Sequence, residues 1–120
     1  MTVSATYSRL VLTTAISQDE AERIARALVD ERLAACVNII PGIASIYRWQ
    51  GAVETAAEIL LLIKTTAANL DSLEVALHRL HSYEIPEFLV LTPECASQSW
   101  LNWLLQSVAP RLDPPRRDQK

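Results

Sequence analysis

Four polar residues fall within seven positions late in the chain: His81, Tyr83, Glu84 and Glu87, in the run H-S-Y-E-I-P-E. An imidazole beside two carboxylates and a phenol is the donor set of a metal or small-ligand site, although the same groups also build structural networks. In the structural alternative, His81 caps the last carbonyls of a helix, and Glu84 and Glu87 pair with Lys64 or Arg79. Copper favours several nitrogen or sulfur donors, so His81 as a lone imidazole makes a weak metal site. Lys64, beside Thr65 and Thr66, is a candidate anion contact. No Gly-rich loop adds backbone donors there, and an ion pair is the simpler role. Tyr47 and Trp49 stand two positions apart and either stack on a ligand or anchor an interface, where aromatic residues are enriched. Cys36 and Cys95 show no C-x-x-C spacing. Cys36 reads as a small hydrophobe in a buried central strand, and Cys95 as a loop thiol. The chain has no nucleophile-elbow, Rossmann, P-loop, zinc-peptidase or RRM aromatic pattern, so it is not read as an enzyme.

These residues depend on a long hairpin for their placement. Ala34 to Gly51 reads A-A-C-V-N-I-I-P-G-I-A-S-I-Y-R-W-Q-G, rich in β-branched and aromatic residues. Pro41-Gly42 predicts a bulge, since Pro cannot donate to a ladder and Gly relaxes the backbone. Gln50-Gly51 predicts the turn, and Val53 to Thr65 the return strand, giving a hairpin over residues 34–66. A tight turn there is expected to set Arg48 opposite Glu54, with Tyr47 and Trp49 on the other face. Before the hairpin, Arg9 to Thr14 predicts a strand. Ser17 opens a helix with capping-box spacing to Glu20, and Ala21, Ile24, Ala25, Leu28 and Val29 form its buried stripe. After the hairpin, Asn69 caps a helix with a Leu70, Leu73, Leu77, Leu80 stripe. Ile85-Pro86 forces extended backbone, Phe88 to Thr92 is a strand, and Gln98 to Val108 a helix with Trp100, Trp103, Leu104 and Val108 inward. Residues 1–8 read as an N-terminal extension, 9–109 as one domain, and 110–120 as a disordered tail. The order is the βαββαβ unit of an α+β, ferredoxin-like antiparallel sheet with helices on one face, plus an extra C-terminal helix.

Half of the 120 residues are hydrophobic and the net charge is −3. No Lys/Arg cluster marks nucleic-acid or anionic-membrane binding, and no apolar run is long enough to span a bilayer. The N-terminus carries no apolar signal core, so the expected location is cytoplasmic. Sixteen strand residues reach about 50 Å at roughly 3.3 Å each. A compact chain of this length has a radius of gyration of about 14 Å. A hairpin that long would leave its aromatic tip in water, and neither of its strands alternates as a half-wet sheet does. Both features predict self-association through the hairpin.

The long hairpin motif, then E-I-L-L-L-I-K-T-T from Glu58, H-S-Y-E-I-P-E from His81 and W-L-N-W-L from Trp100, resembles the CutA family of divalent-cation-tolerance proteins from about Arg9 to Val108. The resemblance implies a ferredoxin-like subunit, a homotrimer, an architecture similar to the PII signalling proteins, and a link to metal tolerance and copper binding. Members proposed to bind copper use a Cys late in the first strand and two adjacent His before Pro-Tyr. Those positions here read Thr13, Leu80 and His81, with Ser82 in place of the Pro. Three functions follow: a metal-responsive protein binding copper or another divalent cation weakly, a PII-like sensor taking a small anionic ligand in clefts between subunits, or a trimeric scaffold.

Overall fold

The computed structural model of the chain describes residues 1–110. Its elements run β1 (Thr2–Ser4), β2 (Ser8–Ala15), α1 (Gln18–Asp30), β3 (Cys36–Trp49), β4 (Ala52–Thr66), α2 (Leu70–Leu80), β5 (Leu89–Leu91), β6 (Cys95–Ser97) and α3 (Gln98–Val108). Four strands form one antiparallel sheet in the order β3-β4-β2-β5. With α1 and α2 as the crossovers, this is the ferredoxin-like unit expected from the sequence. The tail assigned to residues 110–120 falls almost wholly outside the described residues. No helix among those described is long and apolar enough to cross a membrane.

The hairpin owes its shape to three special residues. Ile40 pairs with Leu60 and Ile43 with Glu58, so Pro41 and Gly42 together face one residue of β4. Gly42 holds φ +79°, which a residue without a Cβ adopts freely, and the bulge follows. Gln50 and Gly51 both have positive φ, the backbone of a two-residue turn that matches strand twist. The register is Trp49–Ala52, Arg48–Val53, Tyr47–Glu54. The expected Arg48–Glu54 pair is therefore absent. A turn of two residues shifts the partner by one, and a one-residue shift moves a side chain to the opposite face. β3 is also an edge strand, so Cys36 is half-buried at the sheet margin instead of central.

The core lies between the helices and one sheet face. Val11, Leu61 and Ile63 meet Ile24 and Leu28 of α1 and Leu73 and Leu77 of α2, all fully buried. Each such side chain contributes roughly 1.5–3 kcal/mol of burial. Val29, expected in this stripe, is exposed. The α1 arc is filled by Ala21, Ile24, Ala25 and Leu28. Thr13 is fully buried in the same layer, and its hydroxyl has no partner among the described residues.

A second, smaller core sits under α3. Ala5, Ala35, Leu101, Leu104 and Val108 form it. Trp100 and Trp103, expected inward, are exposed and lie against each other with centroids 6.2 Å apart. Small alanines face the helix here, and they leave room for Leu101 rather than for an indole. The N-terminal extension is part of the structure: β1 pairs with β6, Ser4 opposite Cys95. Cys95 thus stands in a short strand, exposed, and both cysteines are free thiols.

The other sheet face, away from α1 and α2, carries a row of leucines. Register places Leu10 beside Lys64 and Leu91, and Leu12 beside Leu62 and Leu89. Leu89 and Leu91 are exposed, and Leu10, Leu12, Leu60 and Leu62 are only half-buried. The radius of gyration, 16.4 Å, exceeds the about 14 Å of a compact chain this long.

Candidate functional site

α1 starts with a full cap: Ser17 Oγ accepts the Glu20 N–H at 3.1 Å. The Glu20 carboxylate then does more than the capping box asks of it. It accepts the Ser82 N–H at 2.7 Å and the Ser82 hydroxyl at 3.0 Å, and the Ile16 N–H lies 3.4 Å away. Glu20 is only 4% exposed. Burial alone would raise its carboxyl. The Ser82 hydroxyl and amide and the Ile16 amide outweigh that and hold it below the usual carboxylate range. The start of α1 is thereby tied to the chain leaving α2.

His81 sits beside that tie with its side chain fully buried. Its Nε2 lies 2.6 Å from the Thr14 carbonyl, which can only accept, so Nε2 carries a hydrogen. Its Nδ1 accepts the Tyr83 N–H at 3.0 Å. Both ring nitrogens are engaged. A metal at His81 would have to displace one of these bonds. The imidazole thus braces strand β2 against the 81–83 turn, while the backbone N–H of His81, the C-cap of α2, bonds the Leu77 carbonyl at 2.9 Å. The Tyr83 ring follows at a centroid distance of 4.7 Å, and its hydroxyl donates to Glu58 Oε2 at 2.5 Å. Burial first, and the Glu58 carboxylate second, push the Tyr83 phenol well above its ordinary value.

These braces shape one wall of a cleft of about 760 Å³ between the hairpin tip and residues 82–87. Ile46, Tyr47 and Trp49 form the tip side. Glu58 and Thr14 lie along the sheet side, and Tyr83, Glu84 and Glu87 close the far wall. Glu58 is 7% exposed. Partial burial and the Glu58 charge raise the Glu87 carboxyl. Among the described residues no Lys, Arg or His lines the cleft.

Five of the residues singled out in the sequence meet here: Tyr47, Trp49, Tyr83, Glu84 and Glu87. His81 supports the wall from beneath. Lys64 does not reach the cleft: it is on the open sheet face, where its ammonium donates to Asn38 Oδ1. Arg79 pairs with Glu31, not with Glu84 or Glu87. The tip and the 82–87 segment that face each other belong to the same chain. Glu20, Glu58 and Ser82 were not singled out as site residues. Glu58 carried a signal, a carboxylate heading the apolar run I-L-L-L-I. Glu20 carried none beyond its cap spacing.

Fold and cleft together define a class: a ferredoxin-like, PII-like subunit with an extended hairpin and a ligand-sized hollow at its tip. The profile of the CutA1 divalent ion tolerance protein family matches residues 9–107, and the chain belongs to that family. It is 47% identical over 98 residues to the divalent-cation tolerance protein CutA of Thermus thermophilus, covering 82% of this chain and 95% of that one. A chloroplastic CutA 1 of Oryza sativa is 41% identical over 83% of this chain, which spans only 56% of the relative. The solved CutA of Synechococcus elongatus superposes with TM-score 0.87 at 42% identity, over 91% of this chain and 96% of that one. A second structure of that protein, complexed with a Bis-Tris molecule, gives TM-score 0.84 at 41% identity, over 89% of this chain and 99% of that one.

Proposed function

We propose that this chain works as a homotrimer in the cellular response to divalent metal ions, binding a small ligand in the hairpin-tip cleft and catalysing no reaction. The observation that carries the trimer is the open sheet face. Leu12, Leu62 and Leu89 form one row across it and Leu10 and Leu91 continue it, half-buried to exposed, on the side away from α1 and α2. Contiguous apolar surface of this kind marks an interface. A ring of three closes because each sheet offers the same patch and a long β3 edge to the next. Free thiols at Cys36 and Cys95 fit a reducing, cytoplasmic setting.

Direct metal binding enters this proposal as a weak activity. Among the described residues no group of three or more His, Cys, Asp or Glu converges on a metal position, and the His81 nitrogens are engaged. Copper or zinc in the cleft would meet carboxylates alone, Glu58, Glu84 and Glu87. The small-ligand reading is favoured by the cleft itself, and the Bis-Tris complex of the Synechococcus relative supports it. The scaffold reading needs only the trimer. Leu62→Glu tests the assembly. Leu62 lies on the open face, so the subunit core stays intact, and the expected product is a folded 13.4 kDa monomer. A variant that keeps the wild-type mass refutes the proposed interface.

A further inference from the structure

The cleft has a chemistry that selects among ligands. Glu58 is more than nine-tenths buried and opens onto the hollow. One of its oxygens accepts the Tyr83 hydroxyl, and no cation pairs with it among the described residues. Glu84 and Glu87 line the same space, again without an ion pair. A buried carboxylate with no counter-charge is costly. Two more carboxylates nearby make the hollow repel anions.

Opposite these acids stand Tyr47 and Trp49, side by side on one strand face. Aromatic faces attract a cation held within about 6 Å of the ring centre. A bare metal ion gains little from them and needs several oxygen donors at about 2.0–2.6 Å. The hollow, about 760 Å³, is also of the size that holds a small organic molecule.

We infer that the cleft binds a small organic cation, a protonated amine carried on an apolar frame. Its nitrogen lies toward Glu58 and Glu87, and its frame against Tyr47 and Trp49. This assignment rests on the cleft being the ligand site. It reverses the anionic ligand that likeness to PII proteins would suggest.

The test uses one frame in three charge states: cyclohexylammonium, cyclohexanol and cyclohexanecarboxylate, titrated into the full-length protein at pH 7. Binding is read from the indole N–H resonance of Trp49 in proton–nitrogen NMR spectra, assigned with Trp49→Phe, and from calorimetry. Cyclohexylammonium is expected to shift that resonance and to bind at least about fivefold tighter than cyclohexanol, the scale of a cation–π contact. The carboxylate is expected to leave it unmoved. Glu87→Gln, at the exposed rim, and Glu58→Gln should each weaken the ammonium and leave cyclohexanol unchanged. Equal binding of ammonium and alcohol, or preference for the carboxylate, overturns the cation assignment and leaves the cleft standing. Displacement of the ammonium by equimolar Zn²⁺ overturns it in favour of a metal site. If none of the three moves the Trp49 resonance, the assignment and the cleft as ligand site both fail.

Discussion

Glu20→Gln should destabilise this protein more than its place at a helix start suggests. The carboxylate takes two hydrogen bonds from Ser82, at 2.7 and 3.0 Å, while only 4% exposed. Bonds to a charged group contribute about 1.5–3 kcal/mol each. The amide keeps the Ser82 N–H on its oxygen and can donate its NH₂ to the Ser82 hydroxyl, so both bonds lose their charge assistance and the NH₂ meets the Ile16 N–H. The expected cost is about 2–3 kcal/mol. Ser82→Ala removes the hydroxyl alone and should cost about 1 kcal/mol. Guanidinium unfolding at fixed protomer concentration reads the difference. With a slope of about 4 kcal/mol/M, Glu20→Gln shifts the midpoint by about 0.5–0.7 M. The pH dependence has a definite sign. Glu20 is held below the usual carboxylate range, so its stabilisation is present above the unfolded value of about 4.3 and is lost as pH falls through the lower folded value. The gap between wild type and Glu20→Gln should therefore close on acidification. A midpoint shift no larger than that of Ser82→Ala, or a gap that widens in acid, refutes the reasoning.

The other expectations follow from single contacts. Tyr83→Phe strips Glu58 of its 2.5 Å donor and should cost about 1.5–3 kcal/mol, while Glu58→Gln keeps an acceptor and costs less. In the double variant the two costs should not add, and a fully additive thermal or denaturant cycle would show that the bond contributes nothing. Thr13→Val removes a buried hydroxyl that lacks a partner, so it should raise stability by about 1 kcal/mol in the same unfolding assay, and a loss would reveal an unseen partner. Glu87 behaves oppositely to Glu20. Its raised carboxyl favours the fold below the unfolded value, and that contribution is lost as pH rises through the folded value. Glu87→Gln should then match or exceed wild-type stability at pH 7 and lose that advantage near pH 3, followed by denaturant midpoints at both pH values.

Local chemistry made much of this fold legible. Pro41-Gly42 predicted a bulge and Gln50-Gly51 a turn, and both have the positive-φ glycine they require. Capping and spacing placed α3 at its observed bounds. What escaped depends on distant neighbours. Residues 100, 103, 104 and 108 and residues 101, 104 and 108 both satisfy helical spacing. Only the alanines opposite, Ala5 and Ala35, select the second set. The Arg48–Glu54 pair failed because the predicted two-residue turn itself sets Arg48 opposite Val53 and Tyr47 opposite Glu54, and one residue of register exchanges faces. In the site, the aromatic and acidic residues were visible by type, but Glu20 was not, because its cap spacing already explained it. Its partner Ser82 lies 62 positions away. Lys64 looked like a site residue because a lone cation ends an apolar strand, and nothing local shows that it turns to Asn38.

The proposed trimer rests on the open sheet face, and the mass in solution tests it most directly. Sedimentation equilibrium at micromolar concentration should give about 40 kDa, three times the 13.4 kDa chain, unchanged by tenfold dilution. A mass of 13.4 kDa under those conditions would contradict the account.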